Sequence, residues 1–252
     1  MITVTSAQID GWVAAFIWPF FRILALLATA PLVHDQTVPA RLKIGLALAI
    51  TALVAPTLPA AIGISSGNAP LALAQQLLIG AALGFAMRIV FAAVELAGDQ
   101  MGLQMGLSVA GFIDPMSGAP SPLLGSFLGL LAALIYLSLN GHLHLVAALV
   151  DSFSVWPVAP AATTTVNAAQ LVAWGGELFR LGLHLALPVV ATMLLVNLAL
   201  GVLARSAPQL NIFAVGFPAT LLVGFALIAA LLPLFGPAFQ RALESGMQVL
   251  LR

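Results

Sequence analysis

The sequence predicts an all-α integral membrane protein, and three observations predict it. Of the 252 residues, 62% are hydrophobic and only 6% charged, against roughly 25% charged in soluble domains. The mean hydropathy is +1.14. Apolar runs recur over residues 12–33, 44–64, 71–94, 123–150, 181–203 and 212–235, each reaching the roughly 20 residues that cross a hydrocarbon core of about 30 Å. A formal net charge of zero gives no attraction to nucleic acid. The absence of cysteine excludes disulfides and thiolate metal sites.

The elements follow in order. Thr5 and Gln8 are spaced as a capping box, so the first helix is expected to start at Ser6. No basic stretch or small-residue cleavage site precedes the first run, which reads as no signal peptide. Turn chemistry separates the runs at His34-Asp35-Gln36, at Ser65-Ser66-Gly67-Asn68, over 151–170, and at Ser206-Ala207-Pro208-Gln209. Pro19, Pro56, Pro188, Pro218 and Pro233 fall inside spans and predict kinked or broken helices. Neither a solenoid period nor an inverted repeat of the transporter type is visible. Arg41 and Lys43 in the first connection and Arg205 in the fifth favour both termini outside, while Arg241 and Arg252 oppose this.

Some charges lie within apolar runs. A central arginine costs about 2.5–3.5 kcal/mol on insertion scales, and Arg22 and Arg88 are so placed. Each is expected to snorkel or to pair with a carboxylate on a neighbouring helix. The alternative is that these helices are packed inside a larger complex. Glu95 and Asp99, four residues apart, are like-charged neighbours on a helix. With Arg88 two turns earlier, partners from another helix or subunit are expected, and a proton or ion site is the competing reading.

The most informative stretch is 95–122. Gly98, Gly102 and Gly106 recur every fourth residue, as do Gly80 with Gly84 and Gly125 with Gly129. Such spacing lets a second helix backbone approach closely. The following loop carries Gly111, Phe112, Ile113, Asp114, Pro115, Met116 and Gly118, a strong turn signal flanked by apolar side chains unsuited to a solvated tip. Either it tucks over its own helices or it plugs a shared pore, because apolar constrictions close a channel by dewetting.

Chemistry of other kinds is poorly represented. His142 and His144 are two residues apart and point to nearly opposite faces of a helix, so no metal site is expected. No phosphate loop, zinc-protease helix or nucleophile elbow is present. No cofactor and no enzymatic activity are expected.

The run from Glu95 through Asp114-Pro115 and Gly118, then Asn140-Gly141-His142, Asp151-Ser152-Phe153 with Pro157, and the block from Arg205 to Pro218 together resemble the FliR family over nearly the whole chain. That family is the flagellar component of the type III protein export gate, with relatives in virulence secretion. The resemblance implies a FliP-like part over 1–170 fused to a FliQ-like hairpin over 171–252. It implies a heteromeric helical complex with FliP-like and FliQ-like subunits and an FlhB-like protein in the bacterial inner membrane, exporting unfolded flagellar proteins. Carried over, 106–122 is the pore plug. Arg205, Pro208, Gln209, Leu210, Asn211, Phe213 and Pro218 form the partner-facing cytoplasmic turn, and Arg88, Glu95, Gly98, Asp99 and Gly102 serve assembly. The remaining alternatives are a virulence export-gate subunit, a structural scaffold, and a secondary transporter with its site at Arg88, Glu95 and Asp99.

Overall fold

A computed structural model describes residues 5–33, 38–58, 63–107, 123–158, 168–207, 209 and 212–251. Every regular element among them is helical: α1 (Ser6–Thr29), α2 (Ala40–Val54), a 3-10 turn (Ala55–Thr57), α3 (Ala69–Met105), α4 (Leu123–Ser138), α5 (Gly141–Val155), α6 (Ala168–Ser206) and α7 (Ile212–Leu251). Five helices are long and apolar enough to cross a membrane, and six spans result if α4 and α5 together form one. An all-α membrane protein of about six apolar segments is therefore what the chain builds.

Local chemistry explains most boundaries. The capping box forms as expected: Gln8 N donates to Thr5 Oγ1 at 3.4 Å and Thr5 N donates to Gln8 Oε1 at 3.0 Å. Pro56 does not kink a helix, because it sits in the 3-10 turn that ends α2. Pro19, Pro188, Pro218, Pro233 and Pro237 lie inside continuous helices.

Three expectations on extent are corrected. The run 123–150 is two helices, broken where Asn140 adopts φ 56°, a left-handed conformation that asparagine tolerates better than most residues. Residues 151–155, read as the start of a connection, continue α5, and Ala168 already opens α6. The sixth run does not end at 235: α7 continues to Leu251, with Phe239, Ala242 and Leu243 buried on its extension. At 37 residues α3 is about 55 Å long, well beyond a hydrocarbon core of about 30 Å.

The chain forms two compact units. The first comprises Met1–Ile89, Asn140–Gly175 and Leu243–Arg252, the second Val90–Leu139 and Gly176–Ala242. In the first, α1 packs on α2 and on the 3-10 turn. Its buried residues Ala14, Trp18 and Ala72 are covered by Ile17, Ile64, Leu73 and Val158. Gly80 and Gly84 of α3 bring α1 into backbone contact. A Cβ at Gly80 would collide with the carbonyl oxygen of Arg22, and one at Gly84 would lie 2.7 Å from that of Leu26. Thr29 Oγ1 sits 3.2 Å from Ala81 O across this seam, and Trp174 donates from Nε1 to Ala86 O at 3.1 Å.

In the second unit, Phe91 is the aromatic hub. Its ring meets Tyr136 and Phe239 edge-on, with centroids 5.5 and 5.3 Å apart, an arrangement that suits the ring quadrupoles. The glycine signal appears here too: a Cβ at Gly98 would stand 2.6 Å from Gly125 Cα and 2.7 Å from Leu124 O. Helices α3 and α4 therefore touch backbone to backbone. The neighbour seated by Gly98 is a helix of the same chain.

Candidate functional site

Helix α3 carries the predicted assembly residues. Arg88 and Glu95 are exposed on it, Gly98 and Gly102 are buried, and Asp99 is half-buried. The two carboxylates meet the two glycines of α4. A Cβ at Gly125 would collide with Asp99 Oδ1, and one at Gly129 would lie 3.0 Å from Glu95 Oε1. The i, i+4 acid pair and the i, i+4 glycine pair are thus in register, the glycines leaving room for the acids. Asp99 Oδ1 is buried and accepts no hydrogen bond among the described residues. Gly102 is less crowded, with Leu124 Cβ at 3.5 Å and Leu107 Cδ1 at 3.8 Å from a Cβ built there.

Gly106 does not extend the packing stripe. It lies one residue past α3 with φ +81°, a conformation that glycine adopts without a side-chain penalty. Gly106 N donates to Leu103 O at 3.1 Å and Leu107 N to Gly102 O at 3.0 Å, a Schellman termination. The next two carbonyls meet donors of other helices: Asn197 Nδ2 of α6 donates to Gln104 O at 3.2 Å, and Thr220 Oγ1 of α7, which also bonds Phe217 O of its own turn at 2.9 Å, lies 3.2 Å from Met105 O. Each of the four terminal carbonyls that a helix leaves open thereby has a donor within reach, that of Met105 by a shared hydroxyl. Neither Asn197 nor Thr220 is singled out by sequence reasoning. The available signal was polarity inside an apolar run, which marks residues that face protein rather than lipid.

Arg22 behaves differently from the expectation. It is 0% exposed, so it neither snorkels nor reaches lipid, and its partners are neutral rather than a carboxylate. Nε donates to Gln76 Oε1 at 2.7 Å, Nη1 to Ser152 Oγ at 3.0 Å and Nη2 to Trp156 O at 2.7 Å. The guanidinium lies 3.8 Å from the centroid of the Phe153 ring. Trp156 is the C-cap of α5, where the helix dipole presents partial negative charge. A helix end and a ring face therefore provide the electrostatic compensation that a carboxylate would otherwise supply.

The other predicted residues are placed unevenly. Arg205 is exposed in the last turn of α6, a favourable end for a cation. Gln209 is exposed, Phe213 is the second residue of α7, and Pro218 is exposed inside α7. Gly111, Phe112, Ile113, Asp114, Pro115, Met116 and Gly118 lie outside the described residues, as do Pro208, Leu210 and Asn211. His142 and His144 are both exposed in the first turn of α5. Among the described residues no group of His, Asp and Glu is arranged to hold a metal.

This fold and these helix contacts coincide with a shared sequence. Residues 13–246 match the family described as bacterial export proteins, family 1. The flagellar biosynthetic protein FliR of Escherichia coli (strain K12) is 47% identical over 238 residues, covering 94% of this chain and 91% of that protein. The chain belongs to the FliR family. Its similarity extends to distant bacteria: FliR of Bacillus subtilis (strain 168) is 36% identical over 85% of this chain and 84% of its own length. FliR of Aquifex aeolicus (strain VF5) is 30% identical over 93% and 90% respectively. As a FliR-family member with five or six apolar spans, the chain is a membrane protein of the flagellar export apparatus.

Proposed function

We propose that this chain is a non-enzymatic subunit of the flagellar type III export gate in the bacterial inner membrane. There it forms and gates the channel through which unfolded flagellar proteins leave the cell. The carrying observation is the use of the intramembrane charges. Arg22 is bound by three side-chain and backbone acceptors of its own chain, and the half-buried carboxylate of Asp99 is packed over Gly125. Side chains so engaged hold helices together, whereas a secondary transporter would present them to a solute. The relatives bear flagellar names, which favours the flagellar over the virulence system.

In this reading the chain divides into a FliP-like part over 1–170 and a FliQ-like hairpin over 171–252. It assembles with FliP-like and FliQ-like subunits and presents the Arg205–Pro218 turn to an FlhB-like protein. The outward apolar side chains Phe179, Leu195 and Leu198 of α6 and Leu222 of α7 supply contact area for lipid and for those subunits. The stretch 106–122, with Phe112, Ile113 and Met116, closes the resting pore by dewetting.

Deleting 109–118 tests the reading. The complex is expected to assemble in normal amount while ion conductance across the cytoplasmic membrane rises. A deletion that lowers complex yield without any leak assigns the loop to local packing and overturns the plug. A solute-uptake defect without leak identifies a carrier instead.

A further inference from the structure

From the geometry around Gly106 we infer that Asn197 and Thr220 are positioning residues, fixing where the chain leaves α3 and thereby the root of the segment that follows. The inference rests on the plug reading for its consequence but not for its geometry. Helix α3 ends at Met105, and among the described residues the last two of its four open carbonyls are met by side chains from α6 and α7, at 3.2 Å each, the Thr220 hydroxyl bridging Met105 O and Phe217 O of its own helix at 2.9 Å. The same face of α7 closes around this end. Met105 is 0% exposed, a Cβ at Gly224 would stand 2.5 Å from Met105 Cγ, and one at Gly106 would lie 3.6 Å from the Phe217 ring. Thr220 sits one turn from Phe217 and one turn from Gly224, so a single stripe of α7 supplies an aromatic wall, a hydroxyl and a gap.

Met105 is fully buried, and a buried carbonyl left without a donor is costly. The two capping bonds therefore select one arrangement of the α3 end against α6 and α7. A shift of α6 along α3 breaks the Asn197 bond and a shift of α7 breaks the Thr220 bond, which ties the exit point of the chain at Leu107 to both helices. Ordinary helix packing would need neither donor, since both side chains could have been apolar.

The chain has no cysteine, so Leu107→Cys gives a single site for a nitroxide label, read in the complete export complex. Thr220→Val keeps the shape and removes the hydroxyl, Asn197→Asp keeps the shape and removes the N–H donor, and Thr220→Ser restores a hydroxyl. Label spectra are expected to shift from an immobile to a mobile component in the Val and Asp variants and to match the parent in the Ser variant, with the complex recovered in parental amount. The same two variants are expected to leak ions. Unchanged label mobility in both Val and Asp variants overturns the inference, whatever the leak. Loosening of the label in the Ser variant overturns it too, because shape rather than the donor would then be responsible. If the label loosens as expected but deleting 109–118 produces no leak, the clasp stands and the plug reading falls.

Discussion

The two compact units terminate a helix in contrasting ways. In the first, the end of α5 is held by one cation: Arg22 from α1 gathers Gln76 of α3, Ser152 of α5 and the Trp156 carbonyl. In the second, the end of α3 is held by two neutral donors, Asn197 and Thr220, on two different helices. A single guanidinium offers several N–H groups in a rigid fork, so one residue locks three elements but brings a full charge into the interior. Two neutral side chains achieve a similar satisfaction of carbonyls without buried charge, and each bond can be lost alone. The first device makes an all-or-none lock and the second an adjustable one.

The largest effect that would break this contrast is at Arg22. Arg22→Leu removes the charge but strands the buried Gln76 Oε1, an unsatisfied acceptor costing about 1–3 kcal/mol, and takes the donor from the half-buried Trp156 carbonyl. Full-length chain in the membrane fraction and the thermal midpoint in mild detergent should both fall sharply. Arg22→Lys should recover only part of the loss, because one ammonium cannot match the fork that reaches three acceptors. A leucine variant as stable as the parent would mean that the cation is tolerated rather than needed.

An intermediate effect concerns the seam between α3 and α4. Gly98→Ala drives a methyl against Gly125 Cα at 2.6 Å and Leu124 O at 2.7 Å. Backbone atoms cannot rotate away, so the helices must separate, at about 1–3 kcal/mol as for other overpacked sites. Glu95 and Asp99 would then lose their fit over Gly129 and Gly125, and less intact complex should be recovered on sizing. Full recovery would show that α4 can slide.

Much of this was legible in the sequence, and the exceptions share a cause. The spans, the capping box at Thr5 and Gln8, and the close-approach glycines Gly80, Gly84 and Gly98 are local patterns that the backbone obeys. Gly106 misled because a glycine at a four-residue interval looks the same whether it admits a neighbour or ends the helix, and only φ distinguishes them. Arg22 invited a carboxylate because pairwise charge logic ignores helix ends and ring faces, and its partners lie 54, 130 and 134 residues away. Asn197 and Thr220 escape sequence reasoning because hydroxyls and amides in apolar helices commonly bond within their own turn, as Thr192 does to Pro188 O at 2.8 Å and as Thr220 also does to Phe217 O at 2.9 Å. The registers of α3 against α4, α6 and α7 decide these contacts, and register between helices is not written in any one segment.

The smallest effect sharpens the comparison most, because its sign is opposite. Gly102 is one turn beyond Gly98 on the same helix and is buried like it, yet a methyl there meets only Leu124 Cβ at 3.5 Å and Leu107 Cδ1 at 3.8 Å among the described residues. Those are ordinary contact distances to side-chain carbons. Its φ is not positive, in contrast to that of Gly106, so alanine fits the backbone. Replacing a helical glycine by alanine where it fits reduces the freedom of the unfolded chain and stabilises by about 0.4–1 kcal/mol. Gly102→Ala should therefore raise the thermal midpoint slightly and leave assembly intact, whereas Gly98→Ala lowers both. Two glycines of one repeat would then differ in sign, separating the position that admits a helix backbone from the one that only resembles it. A loss of assembly in Gly102→Ala would instead mean that another subunit's helix approaches at this turn, and that the seam extends beyond the chain's own α4.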